Sequence, residues 1–139
     1  MIAPDSSVLV AGFVTGHRFH GAAVSALAEV RSGGCLVAHT MAETYAVLSA
    51  PGGVYRVEPG AVVAYLDQFV ERTSPIQPQP DAYGEALDLL AGEGRVGGAI
   101  YDALIALAAR DAGATLVSLD RRAERIYELC GVEARLLPD

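Results

Sequence analysis

The chain has 139 residues, which at roughly 100–200 residues per domain leaves room for one domain, residues 1–139, and no second catalytic module. Apolar residues make up 52% of it and charged ones 19%, which excludes a disordered chain. Ten cations against 17 acids give a formal charge of -7, which argues against coating nucleic acid through bulk positive charge; every cation is Arg, so Schiff-base and phosphate-loop lysine chemistry are excluded too.

In chain order, a strand over Ile2 to Asp5 is followed by a short helix over Ser6 to Phe13. A second helix, His20 to Arg31, keeps Ala23, Leu27 and Val30 on one face. After the Gly33-Gly34 turn, Cys35 to Ala38 reads as the second strand and Thr40 to Ser49 as a helix, stopped by Ala50-Pro51-Gly52-Gly53. Pro59 or Gly60 to Glu71 is helical, Pro75 to Gln77 is a short third strand, and Asp81 is placed as N-cap of a helix running to Glu93. The segment Gly98 to Arg110 is apolar nearly all round and should be the most buried helix. A fourth strand covers Thr115 to Leu119, a helix runs from Asp120 to Leu129 and ends at Gly131, and Val132 to Leu136 closes the chain as the fifth strand. Short apolar runs alternating with longer helical periods predict an α/β domain with a mostly parallel sheet.

Cys35 and Cys130 each sit in an apolar segment and read as buried free thiols of a reducing compartment. The start of the chain lacks the basic region of a signal peptide, and Asp102 interrupts the best candidate for a membrane span. The expected location is the cytoplasm.

Most acids fit solvated helix faces and ends, but four do not. Asp5 and Asp120 follow strands, where the crevice of a parallel sheet opens, although either also suits a helix N-cap. Glu43 lies about one turn into the helix after the second strand, where the helix dipole alone would favour it. Asp102 is the one carboxylate in a buried helix, and leaving it unpaired there costs several kcal/mol, so it needs a cation from elsewhere in the fold or a metal. Carboxylates that converge without local cations repel one another unless a divalent ion neutralises them, and hard oxygen donors suit Mg²⁺ or Mn²⁺. Such a site does phosphoryl chemistry.

Asp5-Ser6-Ser7, Glu43, the segment Tyr101-Asp102-Ala103-Leu104-Ile105-Ala106 and Val117-Ser118-Leu119-Asp120 together resemble the PIN domain, in particular the VapC-type toxins of bacterial toxin–antitoxin pairs. The resemblance spans essentially the whole chain. It implies a three-layer α/β/α sandwich and a Mg²⁺- or Mn²⁺-dependent endoribonuclease whose metal is bound by Asp5, Glu43, Asp102 and Asp120. Ser6 and Ser118 would support those ligands from behind. A homodimer inhibited by a cognate antitoxin is implied as well. Some PIN domains carry a further acid two positions after the last Asp; here that position is Arg122, which puts a second metal in doubt.

Arg121, Arg122 and Arg125 beside Asp120, and Arg18 between His17 and His20, are the candidate contacts to the RNA backbone. Unpaired loops of structured RNA are the expected substrate. Helices between Thr40 and Glu71 are the expected dimer surface. Gly92 to Gly97 fits a dinucleotide-binding glycine pattern but follows a helix rather than a strand, which excludes that reading. The alternative function is a PIN-like module that binds RNA or antitoxin without turnover.

Overall fold

The computed structural model describes residues 1–138. Three parallel strands, β1 (Ile2–Pro4), β2 (Thr115–Ser118) and β3 (Ala134–Leu136), lie in the order β1-β2-β3. Ala3 pairs with Leu116, and Val117 with Arg135. Cys35 N–H donates to Ile2 O at 2.9 Å, and Val37 forms a single parallel bridge with Ile76. The two remaining expected strands are thus reduced to isolated hydrogen bonds that prolong the sheet beyond β1. Too few residues run side by side there to make a ladder, and Pro75 and Pro78 flank Ile76 without an N–H to give.

Seven helices complete the described residues: α1 (Ser6–Phe13), α2 (His20–Arg31), α3 (Ala38–Ser49), α4 (Pro59–Val70), α5 (Pro80–Gly92), α6 (Ala99–Asp111) and α7 (Glu124–Cys130). Successive strand residues point to opposite faces of the sheet. Ala3, Cys35, Val37 and Leu116 therefore pack with α5, α6 and α7 on one side. Leu36 and Val117 pack with α1, α2 and α4 on the other, which makes the three-layer α/β/α sandwich. In α6 every residue from Ala103 to Ala109 is buried, as its all-round apolar pattern predicts, and its alanines let it lie close against the sheet.

Several boundaries differ from expectation by one to four residues, and three of them are instructive. Helix α3 begins at Ala38, taking the end of the expected second strand; of the donors that a helix start leaves open, Ala38 N–H is satisfied by Ile76 O at 2.7 Å and Thr40 N–H by Val37 O at 3.0 Å. The N-cap of α5 is Gln79 rather than Asp81; Pro80, with no N–H to satisfy, takes the first helical position and moves Asp81 into the first turn. Helix α7 starts at Glu124 rather than Asp120, because the Asp120 carboxylate accepts from Arg122 N–H and folds residues 120–123 into a turn first. Its other end is as expected, with Gly131 in the left-handed region at φ 73°. Both cysteines are buried free thiols. Among the described residues no helix is long and apolar enough to cross a membrane.

Candidate active site

The carboxyl ends of β1 and β2 deliver two of the four acids. Asp5 follows β1, its N–H bound to Val117 O at 2.9 Å, and its side chain caps α1 through Val8 N–H at 3.3 Å. The N-cap and functional readings of Asp5 are therefore compatible in one residue. It is 4% exposed, and both carboxylate oxygens are engaged: Oδ1 also accepts from Ser7 Oγ, and Oδ2 accepts from the Tyr127 hydroxyl at 2.9 Å. The same Ser7 Oγ accepts from Leu119 N–H at 2.9 Å, tying the start of α1 to the end of β2. Buried Ser118 accepts from Asp120 N–H at 2.9 Å and so fixes the turn that carries Asp120.

Glu43 comes from the second turn of α3 and Asp102 from the first turn of α6, where the helix N-terminus favours a negative charge. Ser6 Oγ donates to Glu43 Oε2 at 3.2 Å. His39, one turn earlier, places Nε2 3.5 Å from Glu43 Oε1 and stacks its ring on Tyr101 with centroids 5.0 Å apart. That separation is too long for a hydrogen bond, so Glu43 Oε1 is buried without one, as is Thr40 Oγ1 three residues before it. Asp102 is half-buried rather than buried, because the fully buried stretch of α6 starts at Ala103, and it makes no hydrogen bond or ion pair among the described residues.

Electrostatics show that the four acids share one region. Burial, with the charges of Glu43, Asp120 and Asp5 acting the same way, pushes the Asp102 carboxyl up to about 7. Glu43 is raised by burial and by Asp5, against the pull of His39 and the Ser6 hydrogen bond. Asp5 is raised by burial, against its hydrogen bonds to Ser118, Ser7, Tyr127 and Val8. Among the described residues no three His, Cys, Asp or Glu side chains stand close enough to ligate one ion as placed. The donor set nevertheless fits a hard divalent cation in its chemistry: carboxylate oxygens, one of them buried and unsatisfied, whose mutual repulsion such an ion would relieve. Closing on it requires side-chain rotation, for which Asp102, free of hydrogen bonds, is the least constrained of the four.

The expected RNA-contact arginines have different partners. Arg122 lies at the site, with Nε 3.7 Å from Asp120 Oδ1 and its side chain 96% exposed. Arg121 is exposed beside it. Arg125 turns to Glu93 and Glu128 instead, at 3.7 and 3.3 Å. Arg18 is exposed, with its guanidinium over the Phe19 ring. Tyr127 and His39 were not legible as site residues, and Ser7 only as part of its motif. Tyr127 reads as an apolar-face residue of the last helix, and nothing local ties it to Asp5 across 122 positions.

A model of the PIN domain matches residues 2–129. Ribonuclease VapC40 of Mycobacterium tuberculosis is 44% identical over 137 residues, covering 99% of both chains. Ribonuclease VapC27 of the same species is 34% identical over 131 residues, covering 94% of this chain and 93% of that one. Among solved structures, VapBC2 from Rickettsia felis bound to a promoter DNA fragment superposes with a TM-score of 0.69 at 20% identity, over 99% of this chain and 100% of that one. FitAcB from Neisseria gonorrhoeae gives 0.68 at 18% identity, over 96% of each. With its sequence matched from the first strand to the last helix and its sandwich shared, the chain belongs to the PIN domain family, within the VapC group.

Proposed function

We propose that this chain is the toxin of a toxin–antitoxin pair, a cytoplasmic endoribonuclease that hydrolyses phosphodiester bonds in structured RNA, at tRNA or rRNA loops, with Mg²⁺ or Mn²⁺. What supports this reading is that Asp102 feels the charges of Glu43, Asp120 and Asp5, acids from four segments of the chain, two of which follow the carboxyl ends of parallel strands. The names of its VapC relatives support the same activity.

Asp5, Glu43, Asp102 and Asp120 would hold the metal. A divalent ion held there would supply Lewis-acid charge against the phosphate and would ease loss of a proton from the attacking water. The chain's own residues prepare that chemistry. Tyr127 and Ser7 clamp Asp5 from two sides, so its carboxylate is oriented in advance. Ser6 holds Oε2 of Glu43 and leaves Oε1 to turn toward a cation. Ser118 holds the backbone of Asp120, and Arg122 stands ready to exchange its contact with Asp120 for a phosphate oxygen. A cognate antitoxin is the natural partner, since VapBC2 and the FitAB complex bound to DNA are neighbours in fold. Exposed Val54, in the connection into α4, and Val63, within α4, suit the homodimer surface expected between Thr40 and Glu71.

The test is cleavage of total cellular RNA by the purified protein with Mg²⁺, with Mn²⁺ and with EDTA, beside Asp102→Asn. Discrete fragments that need metal and vanish in the variant are expected. RNA or antitoxin binding by a folded protein that cuts nothing under any metal would overturn the nuclease in favour of the binding module.

A further inference from the structure

A groove of about 380 Å³ opens beside the acids, and Ser6, Ser7 and Asp120 belong to both. Whatever fills it therefore lies next to the bond that the acids would cleave. Its walls are unlike the acid cluster. Phe19 and Tyr55 supply two rings, His17 leans on Phe19 with centroids 6.0 Å apart, and Val10, Val47 and Leu119 complete an apolar lining. Arg122 stands among these walls as their one cation. The volume is at the low end of the roughly 300–1,000 Å³ typical of small-molecule sites. A whole α-helix about 10 Å across does not enter such a space, and neither does a nucleic-acid duplex; a helix or peptide would reach it only with individual side chains. A flat ring system does fit.

We propose that this groove is the base-reading subsite of the enzyme: it takes one unpaired nucleobase adjoining the cleaved phosphate, and so selects where the RNA is cut. The inference rests on the ribonuclease reading and deepens it. A nucleotide carries a flat, largely apolar face and an anionic phosphate a fixed ribose apart, which is the pairing of surfaces found here: a ring-lined slot continuous with a centre built for phosphate. Unpaired RNA bases are recognised by stacking on aromatic rings and arginine planes, and a paired base cannot be splayed into a slot without leaving its helix. The subsite thus gives a structural reason for loops to be preferred over stems. Arg122 is placed to meet either the edge of the base or the phosphate beside it.

The experiment measures binding in the cleavage-deficient Asp102→Asn background, using the four homopolymeric RNA hexanucleotides and counterparts with one abasic residue at each position in turn. Removing one particular base is expected to weaken binding about tenfold, the scale of one stacked base. Adding Val47→Trp, which fills the groove from the exposed face of α3, or Tyr55→Leu, which removes a wall, should abolish that difference between intact and abasic RNA. The subsite is refuted if no position shows the loss, if the loss survives both substitutions, or if both substitutions weaken antitoxin binding alone, which would make the occupant a peptide. Cleavage of the same oligonucleotides by the otherwise unaltered protein with Mg²⁺ separates the two readings. Cleavage without the base-dependent loss rejects the subsite and keeps the nuclease; the loss without cleavage keeps the subsite and rejects the nuclease.

Discussion

The acid cluster and the Arg110 cluster on the α5–α6–α7 side put the same chemical groups to opposite use. Arg110 donates to both oxygens of Glu85 at 2.7 and 2.9 Å, to Asp111 at 3.0 Å and to the Cys130 carbonyl at 3.1 Å. Its hydrogen bonds hold the Glu85 carboxyl below the usual range. At the carboxyl edge of the sheet, Asp5, Glu43 and Asp102 are all raised instead, and their partners are hydroxyls, a half-buried histidine or nothing at all. At Glu85 the chain supplies the counter-charge in full; at the acids proposed to hold a metal it supplies only Arg122 beside Asp120 and His39 beside Glu43. The price is local repulsion in the resting protein.

The contrast is broken most sharply by Asp102→Asn. It removes a ligand and the repulsion together, so RNA cleavage should fall by about a thousandfold or more while the fold stays intact, checked by fragment yield and circular dichroism. Retained activity would remove Asp102 from the centre. Tyr127→Phe leaves the ring in its buried place and deletes one hydrogen bond to Asp5. Loss of such a supporting contact typically costs about 10–100-fold in metal affinity or activity. Titration with Mn²⁺ followed by thermal shift should show the weakening, and an unchanged affinity would make Tyr127 a packing residue only.

The legible part of this site was the set of residues that are costly where they stand. Asp102 could be picked out because a carboxylate in an apolar helix demands an explanation, Asp5 and Asp120 because they follow strands, and Glu43 because it lies about one turn after the second. Tyr127, Ser7 and His39 carry no such cost. Neutral side chains fit equally well on an ordinary helix face, and only folding brings Tyr127 to Asp5. In the fold, the strong apolar runs at β1, β2 and α6 were readable in advance. The segments near Val37 and Ile76 were readable as extended but not as a ladder, because their pairing consists of a few hydrogen bonds between short stretches next to prolines.

A smaller effect sharpens the comparison through pH. Asp102 has a folded value of about 7 against an ordinary 3.8, so below neutrality the folded state binds the proton that the unfolded chain releases. Without divalent metal, stability should therefore decline as pH rises from about 4 to about 7, and the raised Asp5 and Glu43 carboxyls add to the decline. Asp120, His39 and Tyr127 are the other titratable groups beside this cluster. Melting curves at pH 5 and pH 8 check this, and Asp102→Asn should flatten the slope; a metal-free protein that gains stability toward pH 8 would contradict it. Smallest of all is Arg110→Ala, which loses a partly exposed ion pair to Glu85, with side chains 32% and 42% exposed, together with the bonds to Asp111 and the Cys130 carbonyl. Stability should drop by about 0–1 kcal/mol in chemical denaturation, with cleavage unaffected. A large loss of activity there would erase the distinction between the two regions.

The central claim, that these acids await a divalent cation, is tested most directly by calorimetric titration of Mn²⁺ into the purified protein and into Asp102→Asn at pH 7.5. Saturable binding that releases protons and raises the melting temperature, lost or strongly weakened in the variant, is the predicted result. Absence of binding to the folded unaltered protein, or equal binding by the two proteins, would contradict it.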